Sequence, residues 1–259
     1  MNNSLQINPK KEVDKICRFI LTTFQKQHIS KVVIGLSGGI DSAVILSLLA
    51  KSLPLKNIYP IHLPYFKTKT TVINSLVKSL KIPTANFVTI SIKKPVNNIK
   101  SSLNVQLLNS DNNKTRLGNI MARVRMIVLF DQAKNLNALV CGTENKSEHL
   151  LGYFTRFGDG ASDIEPIQFL YKTQIYQLAK YLKLPQEIIN QSPTAELWKE
   201  QTDEGQFGFT YQEADQVLSL FYDQNKSLDK IIKSGYINAK KIIKMVKNNQ
   251  FKHQTPYKI

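Results

Sequence analysis

Four short apolar runs recur along the chain with helical periods between them, and this alternation restricts the fold more than any other feature. The runs are residues 31–36 (KVVIGL), 57–63 (NIYPIHL), 86–92 (NFVTISI) and 138–142 (ALVCG). Each is short and nearly unbroken in apolar residues, as parallel strands buried on both faces are. Helical periods fill the gaps, most clearly over 10–27, 41–51, 70–80, 118–134 and 172–182. Strands alternating with helices predict right-handed crossovers and an α/β fold: a doubly wound, mainly parallel sheet with helices on both faces. Ligands of such sheets lie beyond the carboxyl ends of the strands, so those ends are where a site is expected. After about residue 190 the alternation stops, and 211–222 and 237–248 carry helical periods instead. A single domain over 1–259 is expected, with an α/β core over about 10–190 and a helical C-terminal extension over about 191–259.

With 259 residues the chain is long enough to bury a sizeable core without disulfide staples. No stretch approaches the roughly 20 unbroken apolar residues of a membrane span. The N-terminal MNNSLQINPKKEVDK has no apolar segment of a secretion signal, so a cytoplasmic location and no membrane partner are expected. Cys17 and Cys141 are too far apart for a CxxC site and read as reduced core thiols. His28, His62, His149 and His253 form no HExxH or paired spacing, so no catalytic zinc is expected. Net charge is +16 and unevenly spread: +12 over 51–126, −7 over 127–224 and +8 over 225–259. That asymmetry suits a nucleic acid, a multiply charged nucleotide, or nothing more than solvated lysine-rich faces.

The sharpest local signal is GLSGGIDSA from Gly35, which follows the first strand run and opens a helical period. Gly38 and Gly39 let backbone approach a ligand, Ser37 adds a hydroxyl, and the new helix offers unpaired N–H groups and the positive end of its dipole to an anion. The lysine of a Walker A loop is absent, and the spacing is not GxGxxG. In its place stands Asp41, which cannot itself bind phosphate and so suggests a bridging Mg²⁺. A loop that served only as a turn would use Asp41 as a helix cap.

SGGIDS resembles the signature loop of the ATP pyrophosphatases, the PP-loop enzymes, which split ATP between its α and β phosphates and adenylate their substrate. Further segments are similar to the ammonia-dependent NAD synthetases: RLGNIMARVRM from Arg116, GTENKSE from Gly142, GYFTRFGDGASD from Gly152, IEPI from Ile164, SPTAELW from Ser192 and QTDE from Gln201. The resemblance runs from about residue 31 to residue 205. It implies amidation of deamido-NAD by ammonia through an adenylate, with release of AMP and pyrophosphate. It also implies a homodimer and no nucleic-acid partner.

The resemblance assigns Gly35, Leu36, Ser37, Gly38, Gly39, Ile40, Asp41, Ser42, Thr143, Lys172 and Thr194 to ATP, and Asp41 with Glu148 to Mg²⁺. It gives Arg123, Arg156, Asp163 and Lys252 to deamido-NAD, and Asp41, Lys172 and Asp159 to catalysis, Asp159 through the ammonia or metal region. Many relatives have Lys at the Arg156 position, and their C-terminal His-Lys pair is matched here only by Phe251-Lys252, with His253 one residue late. Arg125, two residues from Arg123 and on another helix face, reads as a structural ion pair; Trp198 reads as core. Two rival readings are a PP-loop tRNA-modifying enzyme, disfavoured by the absence of a CxxC pair, and a non-catalytic nucleotide- or RNA-binding protein, disfavoured by the presence of both Asp41 and Glu148. A steep salt dependence of nucleic-acid binding would mark either rival.

Overall fold

The computed structural model describes residues 5–67, 70–103, 111–194, 198, 201–254 and 256–258. Helix α1 (Pro9–Gln27) opens on Asn8, whose side chain accepts the Lys11 N–H, and buries Val13, Ile16, Ile20 and Phe24 at helical spacing. Strand β1 (Lys31–Gly35) leads into α2 (Ile40–Ser52), which is apolar on almost every face because it lies between the sheet and α1. Then follow β2 (Ile58–His62), α3 (Thr71–Ser79), β3 (Val88–Thr89), α4 (Lys93–Ser102), the long α5 (Asp111–Leu136) and β4 (Ala138–Cys141).

The four strands are parallel in the order β3-β2-β1-β4. Val33 pairs with Tyr59 on one side and with Val140 on the other, so the carboxyl ends of β1, β2 and β4 lie together. One core layer, with α1 and α2, includes Val32, Ile34, Ile45 and Leu48; the other, with α4 and α5, includes Val33, Ile61, Met121 and Val140. That alternation of Val32, Val33 and Ile34 is the two-face burial expected of a doubly wound sheet.

Elements differ from the sequence expectation where burial is thin. β3 keeps only two regular residues of the seven expected, because this edge strand is exposed on the way to α4; Ile90 and Ile92 N–H groups still reach the His62 and Pro64 carbonyls. Helix α4 was not expected at all, since it buries a single residue, Val96. α5 starts seven residues earlier than its apolar period, in the polar stretch DNNKTRL.

Beyond β4 come α6 (Lys146–Leu151), α7 (Lys172–Tyr181), α8 (Gln186–Ile189), α9 (Asp203–Phe207), α10 (Tyr211–Leu218), α11 (Leu228–Lys233) and α12 (Ala239–Asn249). The expected helix over 211–222 ends at Leu218 and continues as a π turn over Ser219–Asp223. That turn presents Asp223 to Lys146 Nζ at 2.6 Å and to the Tyr171 hydroxyl at 2.9 Å. The last helices share a third apolar cluster, which includes Phe207, Tyr211, Leu218, Ile242 and Val246.

Candidate active site

A cavity of about 380 Å³ opens at the carboxyl ends of β1, β2 and β4. Its floor is the 35–42 segment. Ser37 and Ser42 hydroxyls lie 3.2 Å apart, Gly39 N–H donates to Ser37 Oγ, and Ser42 Oγ donates to the Gly39 carbonyl. Gly38 has φ +101°, a conformation costly for any residue with a Cβ. Gly39 is the N-cap of α2 and has no side chain to cap it, so the first turn retains the anion-attracting character of an open helix N-terminus.

Three side chains from three elements meet above this floor. Lys172 Nζ, at the start of α7, is 2.6 Å from Asp41 Oδ2 and 3.3 Å from Glu148 Oε1. The lysine side chain is 3% exposed and the two carboxylates 15% and 17%. Burial works against the ammonium, but Asp41 and Glu148 override it and push the lysine above its ordinary pKa. Burial also pushes the Glu148 carboxyl up to about 8, with Lys172 opposing and Asp41 and Asp203 adding to the rise. Asp203 is 4% exposed and accepts from the hydroxyls of Tyr153 and Tyr211.

Asn145 holds two of these groups in place. Its Oδ1 accepts Glu148 N–H while Glu148 Oε2 accepts Asn145 N–H, a reciprocal cap that starts α6; its Nδ2 donates to Asp41 Oδ1 at 3.0 Å. Ser147 and Asp215 buttress the same corner: Ser147 Oγ donates to Asp215 Oδ1 and accepts the Lys172 N–H, and Asp215 Oδ2 accepts the Thr173 N–H.

Three carboxylates face one ammonium, and Asp41 Oδ2 and Glu148 Oε1 both lie against Lys172 Nζ. Hard oxygen donors with a deficit of positive charge suit a small divalent cation that takes its remaining ligands from phosphate and water. No group of three or more His, Cys, Asp or Glu side chains forms a metal cage among the described residues, so a cation here would be held by two carboxylates and its ligand.

The expected residues separate into two sets. Gly35, Leu36, Ser37, Gly39, Ile40, Asp41, Ser42, Thr143, Glu148, Asp159, Lys172, Thr194 and Lys252 line the cavity. Arg123, Arg156, Asp163 and Gly38 do not. Arg123 donates to the Arg156 carbonyl at 3.2 Å, the Arg156 guanidinium lies over the Phe157 ring at 5.4 Å and over the Phe251 ring at 5.6 Å, and Asp163 Oδ2 accepts the Val140 N–H. Lys252 Nζ donates to the Gly152 and Phe154 carbonyls. Asp159 Oδ1 accepts the Thr155 N–H. Trp198, expected in the core, lines the cavity instead. Arg125 also lines it and donates from Nε to the Leu63 carbonyl.

Asn145, Tyr153 and Asp203 fall within GTENKSE, GYFTRFGDGASD and QTDE but carried no expected role; Asn145-Lys-Ser-Glu148 is in addition a capping sequence.

Residues 12–256 match the NAD synthase family. The chain belongs to that family. It is 38% identical to the NH(3)-dependent NAD(+) synthetase of Fusobacterium nucleatum, over 98% of this chain and 97% of that one. The enzyme of the same name from Pyrococcus furiosus is also 38% identical, over 97% and 95%. Among solved structures, an NMN synthetase from Francisella tularensis superposes with a TM-score of 0.83 at 32% identity, covering 98% of this chain and 99% of that one. An NH3-dependent NAD synthetase from Campylobacter jejuni, solved with a nitrate ion, gives 0.78 at 30%, over 98% and 100%. The parallel sheet with its flanking helices and the helical C-terminal region thus belong to a known NAD synthase architecture, and the parallel α/β class is the one the alternating sequence pattern predicts.

Proposed function

We propose that this chain amidates the nicotinate carboxyl of deamido-NAD with ammonia, drawing on ATP and releasing AMP and pyrophosphate. The observation that carries the reading is the convergence of Asp41, Glu148 and Lys172 above an uncapped helix N-terminus at the carboxyl end of a parallel sheet, in a member of the NAD synthase family.

The 37–42 loop cradles the phosphates, with Gly38 and Gly39 allowing close approach. Asp41 and Glu148 would hold Mg²⁺, which when bound neutralises phosphate charge. Lys172 stabilises the negative charge that grows on the leaving pyrophosphate. Thr143 and Thr194 orient the nucleotide, and Lys252 and Asp159, at the same cavity, face the other substrate. The chemistry needs alignment of a carboxylate with the α-phosphate more than acid–base groups. Ammonia is the nucleophile, the enzyme is a homodimer, and it works in the cytoplasm; among the described residues no helix is long and apolar enough to cross a membrane.

Mass spectrometry of products from ATP, deamido-NAD and ammonium tests the reading: AMP, pyrophosphate and NAD are expected, and ADP with orthophosphate would overturn it. A second reading has its own observation. The Francisella relative is an NMN synthetase, and Arg123, Arg156 and Asp163, expected on the dinucleotide, lie outside the cavity wall. On that second reading nicotinate mononucleotide would be the better substrate, and the ratio of kcat/KM for the two acids decides between them.

A further inference from the structure

Thr143 reaches the cavity from a three-residue turn, Gly142-Thr143-Glu144, that leaves the end of β4. A turn of this kind has no ladder to hold it once the strand ends. The segment after the 152–160 loop supplies what is missing. Ile164 forms a parallel bridge with Cys141 and its carbonyl accepts the Gly142 N–H at 2.9 Å. The next residue, Glu165, turns its carboxylate under the turn. Oε2 accepts the Glu144 N–H at 3.1 Å, and Oε1 accepts from Ser162 Oγ at 2.7 Å. The carboxylate sits so close to the Gly142 Cα that a Cβ built there would fall inside it. Gly142 has no left-handed φ to explain its identity. The requirement for glycine is therefore contact with Glu165.

We propose that Glu165 is a positioning residue for the nucleotide: by gripping the Glu144 N–H across a side-chain-free Gly142, it fixes the turn that holds Thr143 at the wall of the cavity that the 37–42 loop also lines. This rests on the reading of that cavity as the ATP site. Glu165 does not touch ATP; it acts through Thr143. The IEPI segment that marks the family resemblance thereby acquires a physical task, and so does the glycine of GTENKSE, 23 positions before Glu165.

The test is a double-mutant cycle in the full chain, with the KM for Mg-ATP, the KM for deamido-NAD and the unfolding midpoint measured for each protein. Glu165→Ala removes the grip. Gly142→Ala places a methyl where the carboxylate lies and expels it, so it should act as Glu165→Ala does. Each is expected to raise the ATP KM about tenfold, the size of one lost hydrogen bond of orientation, with the deamido-NAD KM within about twofold of wild type. In Gly142→Ala/Glu165→Ala the methyl meets empty space, so the double variant should match Glu165→Ala alone within about a factor of two, not multiply to about a hundredfold. Glu165→Gln keeps an acceptor for the Glu144 N–H and should recover most of the ATP affinity.

Multiplying effects, or a lowered midpoint with an unchanged ATP KM, would overturn the proposal. Thr143→Ala separates this from failure of the site reading. If it leaves the ATP KM unchanged, the ATP site is wrongly placed; if it raises the KM and Glu165→Ala does not, the positioning role alone is wrong. Should Glu165→Ala not fold, Glu165→Asp, one methylene too short to reach the Glu144 N–H, takes its place with the same expected shift.

Discussion

Lys172 sets the charge balance of the site, because it alone of the three central groups brings a positive charge to Asp41 and Glu148, with Asp203 adding a third negative charge nearby. Removing a buried cation strands its partners, at a cost of about 3 kcal/mol or more. Lys172→Met is expected to lower unfolding stability by that order, measured by denaturant titration, and to abolish turnover. Asp41→Asn and Glu148→Gln make a different prediction. Each leaves Lys172 one carboxylate, so folding should be only mildly affected while most turnover is lost at any Mg²⁺ concentration. Near-normal activity of either variant at saturating Mg²⁺ would remove that residue from the cation site. SGGIDS and GTENKSE, contiguous words, pointed to Asp41 and Glu148 in the sequence; the Asp41–Lys172 contact was not legible, since 131 residues separate the pair.

At the scale of elements, the six-residue helix α6 is too short to persist on propensity, and its cap does much of the holding. Asn145 satisfies the Glu148 N–H and at the same time restrains Asp41. Asn145→Ala is expected to lose about 1 kcal/mol of stability from the cap alone. It should also raise the Mg²⁺ concentration needed for half-maximal rate, because both carboxylates lose their alignment. Asn145→Asp keeps the capping oxygen but sets a negative charge against Asp41, so its stability should recover in part and its turnover should not. Thermal melts with Mg²⁺ titrations of the two variants separate cap from contact; an unchanged Mg²⁺ requirement in Asn145→Ala would show that the Asp41 contact is idle. β3 and α4 illustrate the converse at this scale. A pattern reader weighs apolar period, and an exposed edge strand or a helix that buries only Val96 emits too little of it.

For the whole molecule, Asp215 ties α10 to the start of α7 and to Ser147, joining the helical C-terminal region to the core beneath the site. It is fully buried, and burial pushes its carboxyl from the ordinary 3.8 to about 6, with hydrogen bonds from Ser147 and Thr173 restraining the rise. A folded-state value above the unfolded one means that its contribution to stability is full below about pH 4 and is lost as pH rises through about 6. Asp215→Asn should therefore gain on wild type between pH 4 and 6 by on the order of 3 kcal/mol and hold a constant difference above that, in melts across the pH series. A difference that shrinks with rising pH would contradict this. Assembly gives a second prediction: a closed two-fold dimer is expected, with the basic 51–126 region and α5 as candidate interface, and sedimentation of a fully active monomer would refute it. Ammonium-driven activity should climb toward pH 8.5 as the neutral amine fraction grows, whereas glutamine should not serve. Cys141 is buried with its thiol pushed up by burial, the opposite of an activated nucleophile, and Cys17 is packed against the core.

Local periodicity and contiguous motifs made legible three of the four strands nearly to their ends, the helices α1, α2, α3 and α7, the glycine-rich loop at the carboxyl end of β1, and the family. Those features depend on neighbours within a few residues, so the chain displays them before it folds. Tertiary structure alone decided which distant groups share a charge environment. It brought Asp203 and Tyr153 to the cavity wall, set Lys172 between two carboxylates, laid Glu165 against Gly142, and left Arg123, Arg156 and Asp163 outside the cavity. The physical reason is that burial and Coulomb interaction depend on distance in space, and a doubly wound sheet makes neighbours of strand ends that lie more than a hundred residues apart in the chain.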